Sequence, residues 1–312
     1  DGAIALGQPE SAATWYPVND HPSDKATFAV TMTVPAGVEA ISNGEMGEAE
    51  TIEGWTTWRW TESSPMASYL SMMVIGQYRI TRTMHRGLPM VIAVPESMPK
   101  NSPAVESLAR TGEITDFLAT KFGPYPFKAN GGVVVTDERI RYALETQARP
   151  VYGNVFFTGG VNETVVAHEI AHQWFGDSVA LDRWQDIWLN EGFATYAEWL
   201  WAEKSGQSTA RARFDRAYAT YPWDQPEKTG DPGVRGLFGD AVYQRGGMTV
   251  YALHEEIGDA AFDRLVKTWT TEYRDGNATT DDLIKLAEEV SGKQLDGFFQ
   301  AWLFGATKPP RP

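Results

Sequence analysis

The amino-acid sequence predicts an α+β protein: a partial, sandwich-like β-sheet region at the N-terminal end, then a larger region in which a mixed sheet gives way to helices. Three observations predict it. The first eighty or so residues are short runs rich in β-branched and aromatic side chains, separated by turn signals. From Asn162 onward apolar residues recur at helical spacing. A chain of 312 residues with 42% hydrophobic residues and 12 Trp can fill the cores of about two domains.

Taken in order, residues 3–6 read as a strand that opens the chain abruptly. Residues 27–34, 38–41, 56–60 and 69–80 follow as strands, with Pro35-Ala36-Gly37 and Asn43-Gly44 as turns between them. Around His85-Arg86-Gly87-Leu88-Pro89 the pattern changes, which predicts a boundary near residue 85. Residues 1–85 are expected to be the latter part of a β domain and 86–312 a second domain, with the chain a truncated or processed form. Residues 90–94 read as a strand, 102–122 as a helix and 132–136 as a buried strand. Asn162, a short polar residue ahead of Val165 and Val166, is the expected N-cap of a helix ending at Phe175-Gly176-Asp177. Ile187, Trp188, Leu189, Phe193, Ala194, Ala197, Leu200 and Trp201 give a second, amphipathic helix with a wide apolar face. Further helices are expected over 208–218, 246–256, 260–273, 280–290 and 295–303, and the Pro-rich end at 308–312 is expected to fray.

A net charge of −14, from 41 acidic against 27 basic residues, argues against nucleic acid as a partner and mildly favours cationic ligands, although acidity also serves solubility. No apolar run approaches the roughly eighteen residues of a membrane span, and no targeting segment is visible. A secreted or cell-envelope location is slightly favoured over a cytoplasmic one. The absence of cysteine excludes disulfides and thiolate ligands.

The chemistry is concentrated in His168-Glu169-Ile170-Ala171-His172, followed after eighteen residues by Glu191 in Trp188-Leu189-Asn190-Glu191-Gly192-Phe193-Ala194. Residues four apart project from one helix face, so two imidazoles converge on one metal, with Glu169 beside the open coordination position. With only 5 His in the chain, such a motif is a poor candidate for coincidence. Two histidines and a carboxylate suit one Zn2+ per chain and leave a position for water, whose pKa zinc lowers toward neutrality; Glu169 is then the expected general base. Asp177 and Glu198 are candidates to orient the imidazoles.

The stretch from Val165 to Leu200, with His-Glu-Ile-Ala-His-Gln-Trp-Phe-Gly-Asp and Trp-Leu-Asn-Glu-Gly-Phe-Ala, closely resembles the gluzincin aminopeptidases of the aminopeptidase N family, of bacterial type. The similarity runs from Gln8-Pro9-Glu10 to Phe298-Phe299-Gln300-Ala301-Trp302. The resemblance implies a thermolysin-like catalytic domain after the β domain, peptides with a free N-terminus as substrates, and further site residues. Tyr243, in Tyr243-Gln244-Arg245-Gly246, stands where family members place a transition-state tyrosine, with Arg245 in the place of their Lys. Glu145, in Tyr142-Ala143-Leu144-Glu145-Thr146, matches the amine-binding Glu of the family's Gly-Ala-Met-Glu-Asn loop, though three residues of that loop differ. Glu10 matches the last residue of a Gln-x-Glu stretch that reaches the same amine. Larger members carry a helical C-terminal domain that covers the active site, so a cleft without it is expected to be open.

A zinc endopeptidase or another zinc hydrolase on the same scaffold, such as one opening epoxides, is the first alternative. A non-catalytic binding module is the second. The preferred first residue, the natural substrate and the oligomeric state are not marked by any motif.

Overall fold

The computed structural model describes residues 2–225 and 227–312. Two compact units make it up: one runs up to Ile114 and takes in Pro126–Gln173, and the other comprises Thr115–Tyr125 and Trp174–Pro312.

In the first unit, Lys25–Pro35 pairs antiparallel with Trp55–Ala67, and Glu45–Met46 and Glu50–Ile52 also pair with Trp55–Ala67. Alternate residues of Trp55–Ala67 face inward, among them Trp58 and Trp60, so a strand's two-residue period buries one face. Their indole N–H groups donate to the carbonyls of Val38 and Ala40, which satisfies the one polar atom each ring brings inside. A three-stranded sheet joins Ala3–Ala5, Met73–Gly76 and Glu39–Ile41. The segment expected as one strand over 69–80 is broken in two. Ser68–Leu70 is a 3-10 turn, Met73–Gly76 belongs to the three-stranded sheet, and Tyr78–His85 belongs to a five-stranded one. Serving two sheets requires the break at Gly76-Gln77, where the Tyr78 amide donates instead to the Glu39 carboxylate.

The five-stranded sheet runs Ala143–Leu144, Val151–Gly153, Asn130–Val135, Leu88–Pro95, Tyr78–His85. Asn130–Val135 is central, parallel to both neighbours and buried at every residue, as a continuous apolar run with strands on both sides should be. Gly131 is required there: at its φ of 147° a Cβ would lie 1.8 Å from the Val91 carbonyl oxygen. Arg86 and Gly87 both have positive φ and close a two-residue turn pairing His85 with Leu88.

The expected helix over 102–122 is also two pieces, Pro103–Leu108 and Thr111–Phe122. The Thr111 hydroxyl takes the Leu108 carbonyl, an alternative to the helical ladder at the break.

The second unit is helical. Trp188–Lys204 has 13 of its 17 residues buried, so it is enclosed nearly all round rather than half exposed as an amphipathic helix would be. It packs on Gly246–Ile257 through a pair of glycines; a Cβ on Gly192 would lie 2.9 Å from the Gly246 backbone. Asp259–Glu272 and Thr280–Ser291 follow, the latter opened by a reciprocal capping box between Thr279 and Asp282. The C-terminal residues do not fray as the composition suggests. The Tyr218 hydroxyl donates to the Pro309 carbonyl at 2.7 Å, Lys308 Nζ sits 4.0 Å from the centre of the Tyr218 ring, and Arg311 pairs with Asp215. The fold is α+β, a β-sheet N-terminal region followed by helices. No helix among the described residues is long and apolar enough to cross a membrane.

Candidate active site

The histidine helix is Glu163–Ala171. The Asn162 side chain accepts from the Val165 amide at 3.2 Å, as the sequence predicts, and the Asn162 amide in turn donates to Ser107 Oγ. Arg110 holds Glu163 at 2.7 Å in the helix's first turn. The helix stops at Ala171, with His172 as its C-cap, rather than running on to Phe175. The His168 and His172 rings stand 4.8 Å apart, edge to face.

Among the described residues, two donor groups are able to hold a metal ion: His168 with His172 and Glu191, and Glu145 with Glu169 and His172. In each, the ligand atoms lie within 4.8 Å of one another. The first group is the set the sequence motif predicts, two neutral imidazole nitrogens and one carboxylate oxygen, which is the donor chemistry Zn2+ takes. The second brings together two carboxylates that are 3% and 5% exposed, Glu145 and Glu169. Two carboxyl groups brought together in a buried place suit a cation beside them, which their oxygens can accept by charge-assisted hydrogen bonds or ligation.

Glu145 sits at the end of the edge strand Ala143–Leu144, in a loop built by residues that the sequence reading did not single out. Gln173, immediately after His172, uses both ends of its amide: Nε2 donates to the Glu145 carbonyl at 3.1 Å, and Oε1 accepts from the Ala148 amide at 2.7 Å. The loop is thereby tied to the end of the histidine helix, and Ala148 is held at a φ of 63°. From the other side, Asn43 donates to the Gln147 carbonyl, and Arg149 donates to the carbonyls of Ser42 and Gly44 with its guanidinium over Trp60. These hydrogen bonds hold the loop from two sides at the place where Glu145 stands. The only sequence signal for Gln173 was its place directly after the motif.

Gln8 Nε2 donates to Glu145 Oε1 at 3.1 Å. Of the Gln-Pro-Glu stretch, it is therefore the first residue that touches Glu145, while Glu10 is exposed at the surface. Asp177 is fully buried, and Glu198 is half-buried on the helix of Glu191, two turns further on.

Tyr243 lies in a π-helical turn, Ala241–Arg245, leading into Gly246–Ile257. Arg245 ends this turn and ties it to the closing segment of the chain. Its guanidinium donates to the carbonyls of Trp302, Ala301 and Gly305, capping the last turn of the chain's closing helical segment. Burial pushes its pKa below the usual guanidinium value. The three bonds use the planar fork of Arg, which the single ammonium of a Lys does not provide.

A helix presenting two histidines four residues apart, with a buried glutamate to complete the set, defines a zinc metalloprotein of the His-Glu-x-x-His class. Residues 3–70 match the peptidase M1 N-terminal domain, and residues 159–302 match the peptidase family M1 domain. The M1 zinc metallopeptidase of Deinococcus radiodurans superposes with a TM-score of 0.89 at 30% identity, covering 100% of this chain and 71% of that one. A variant of that protein bound to a Tyr-Ser-Ala substrate gives 0.90 at 29% identity, again covering 100% of this chain and 71% of that one. Aminopeptidase N of Streptomyces lividans is 27% identical over 91% of this chain and 36% of its own length, and aminopeptidase M1 of Arabidopsis thaliana 26% identical over 96% and 36%. The chain spans about a third of the length of the curated relatives it matches. It belongs to peptidase family M1, and Zn2+ is its cofactor.

Proposed function

We propose that the chain is a zinc aminopeptidase, hydrolysing the N-terminal peptide bond of peptides. One observation carries the reading: beside the histidines, Glu145 and Glu169 bring two buried carboxylates to His172, a place suited to a cation such as a substrate's α-ammonium. Zn2+ would be held by His168, His172 and Glu191 and, when bound, would supply Lewis-acid polarisation and lower the pKa of water. Glu145 accepts hydrogen bonds from the ammonium, oriented by Gln8, with Glu10 as a second anchor from the β-sheet region. This fixes the peptide by its first residue and converts general hydrolysis into removal of that residue. Glu169 takes the proton of the attacking water and passes it to the leaving amine. Tyr243, protonated near neutral pH, donates to the developing oxyanion.

Replacing Glu145 by Ala removes a charged acceptor worth roughly 1.5 to 3 kcal/mol, so kcat/KM on free-amine aminoacyl substrates should fall about tenfold or more. Glu10→Ala should act in the same direction. Equal losses on free-amine and N-acetylated peptides would refute the amine-anchor role and point to an endopeptidase. Tyr243→Phe should lower kcat by about 10²-fold. A raised KM with normal kcat would make the hydroxyl a positioning group instead.

A further inference from the structure

The second unit contains a cavity of about 520 Å3, with Thr195, Glu198, Arg213, Arg216 and Gln244 among its lining residues. Arg213 and Arg216 lie three apart on the helix Ala210–Thr220, so both guanidinium stems rise from one face. Asp215, between them in sequence, is engaged by Arg211 and Arg311. Glu198 is the one carboxylate in the lining. Among the described residues no carboxylate pairs with Arg213 or Arg216, and the Arg213 Nε–H is buried without a hydrogen-bond partner. An unmet buried donor is costly, and a carboxylate, with two acceptor oxygens matched to the guanidinium fork, is the group that satisfies it best. In a chain of net charge −14, two guanidiniums against one carboxylate in a single lining mark a local reversal of sign.

The cavity borders the proposed catalytic stretch of this unit. Gln244 follows Tyr243 in the π-helical turn, and Thr195 and Glu198 stand one and two turns beyond Glu191 on the same helix face. We propose that this pocket is a carboxylate-binding subsite for the peptide downstream of the bond that is cut. It receives either the C-terminal carboxylate of a short peptide or an acidic side chain. The inference rests on the aminopeptidase reading and adds to it a preference among substrates that the metal and the amine anchors do not set.

The test uses three neutral-side-chain or acidic tripeptides: a free acid, its C-terminal amide, and an amide carrying one Glu after the first residue. An aminoacyl anilide, which has no carboxylate, reports the aminopeptidase reading separately. For the unmodified protein kcat/KM should favour a carboxylate-bearing peptide over the neutral amide by about tenfold, mainly through KM. Arg213→Gln and Arg216→Gln should bring that ratio toward one, and Arg213→Lys, which keeps charge without the fork, should fall between. Preference for the free acid identifies the chain end as the source, and preference for the Glu amide identifies the side chain; either supports the subsite. Equal kcat/KM for all three peptides, or a ratio unmoved by both glutamine substitutions, overturns it. If the anilide is not hydrolysed, the aminopeptidase reading has failed, and the subsite is decided by calorimetry of the free acid against the neutral amide, where equal binding overturns it.

Discussion

Replacing His168 by Ala is expected to abolish activity and metal binding together. The unmodified protein should carry about one zinc per chain, and removing one of three protein ligands leaves a pair that holds zinc too weakly to retain it. His168 and His172 are both buried at the end of the Asn162-capped helix, so the substitution leaves capping and packing largely in place and acts on the metal. Chelation of the unmodified protein should have the same effect, reversed by added Zn2+. Elemental analysis decides the matter: stoichiometric metal and normal turnover in His168→Ala would show that the ligand assignment is wrong.

Glu169→Gln is expected to reduce kcat by about 10³-fold or more while zinc content and fold are retained. General-base catalysis contributes on the order of 10² to 10⁴ in rate, and Gln keeps the size and much of the hydrogen bonding of Glu without a basic oxygen. Gln still offers an oxygen acceptor beside Glu145, so the place for a substrate ammonium is kept. Substrate binding is therefore expected to survive as turnover collapses, read as an unchanged KM. A loss of zinc in step with activity would instead assign Glu169 to holding the metal.

Much of the candidate site was legible in the chain because its proposed chemistry is local. The helical period places His168, Glu169 and His172 relative to one another without reference to the rest of the fold, and Asn162 marks the start of their helix by its own side chain. Glu145 was recognisable only through its resemblance to a family loop. Gln173 and Asn43 reach that loop from 25 and 104 residues away, and Arg149 reaches back 107 residues to Ser42; none carries a pattern of its own. Gln8 illustrates the same limit: three residues of motif indicated the right segment, but which side chain reaches Glu145 depends on how the chain turns there.

The element boundaries that differ each have a physical cause. Residues 69–80 and 102–122 each have a continuous local preference, for strand and for helix, yet the chain breaks in both. The first supplies two different sheets, and in the second a threonine hydroxyl competes for a carbonyl. The closing segment was expected to fray because its own residues form no regular structure. Tyr218 and Asp215 hold it from another helix.

By itself, the sequence determined the fold class and the histidine helix with its cap, which depend on local pattern and spacing, and through its motif it nominated a candidate donor set for zinc and a candidate base. Only the tertiary structure decided that the helix of Glu191 is enclosed, that Arg245 serves the closing segment, and that two carboxylates meet beside His172. Those are relations between residues far apart in the chain, set by packing and by the need of buried polar groups to find partners, and no periodicity in the sequence encodes them.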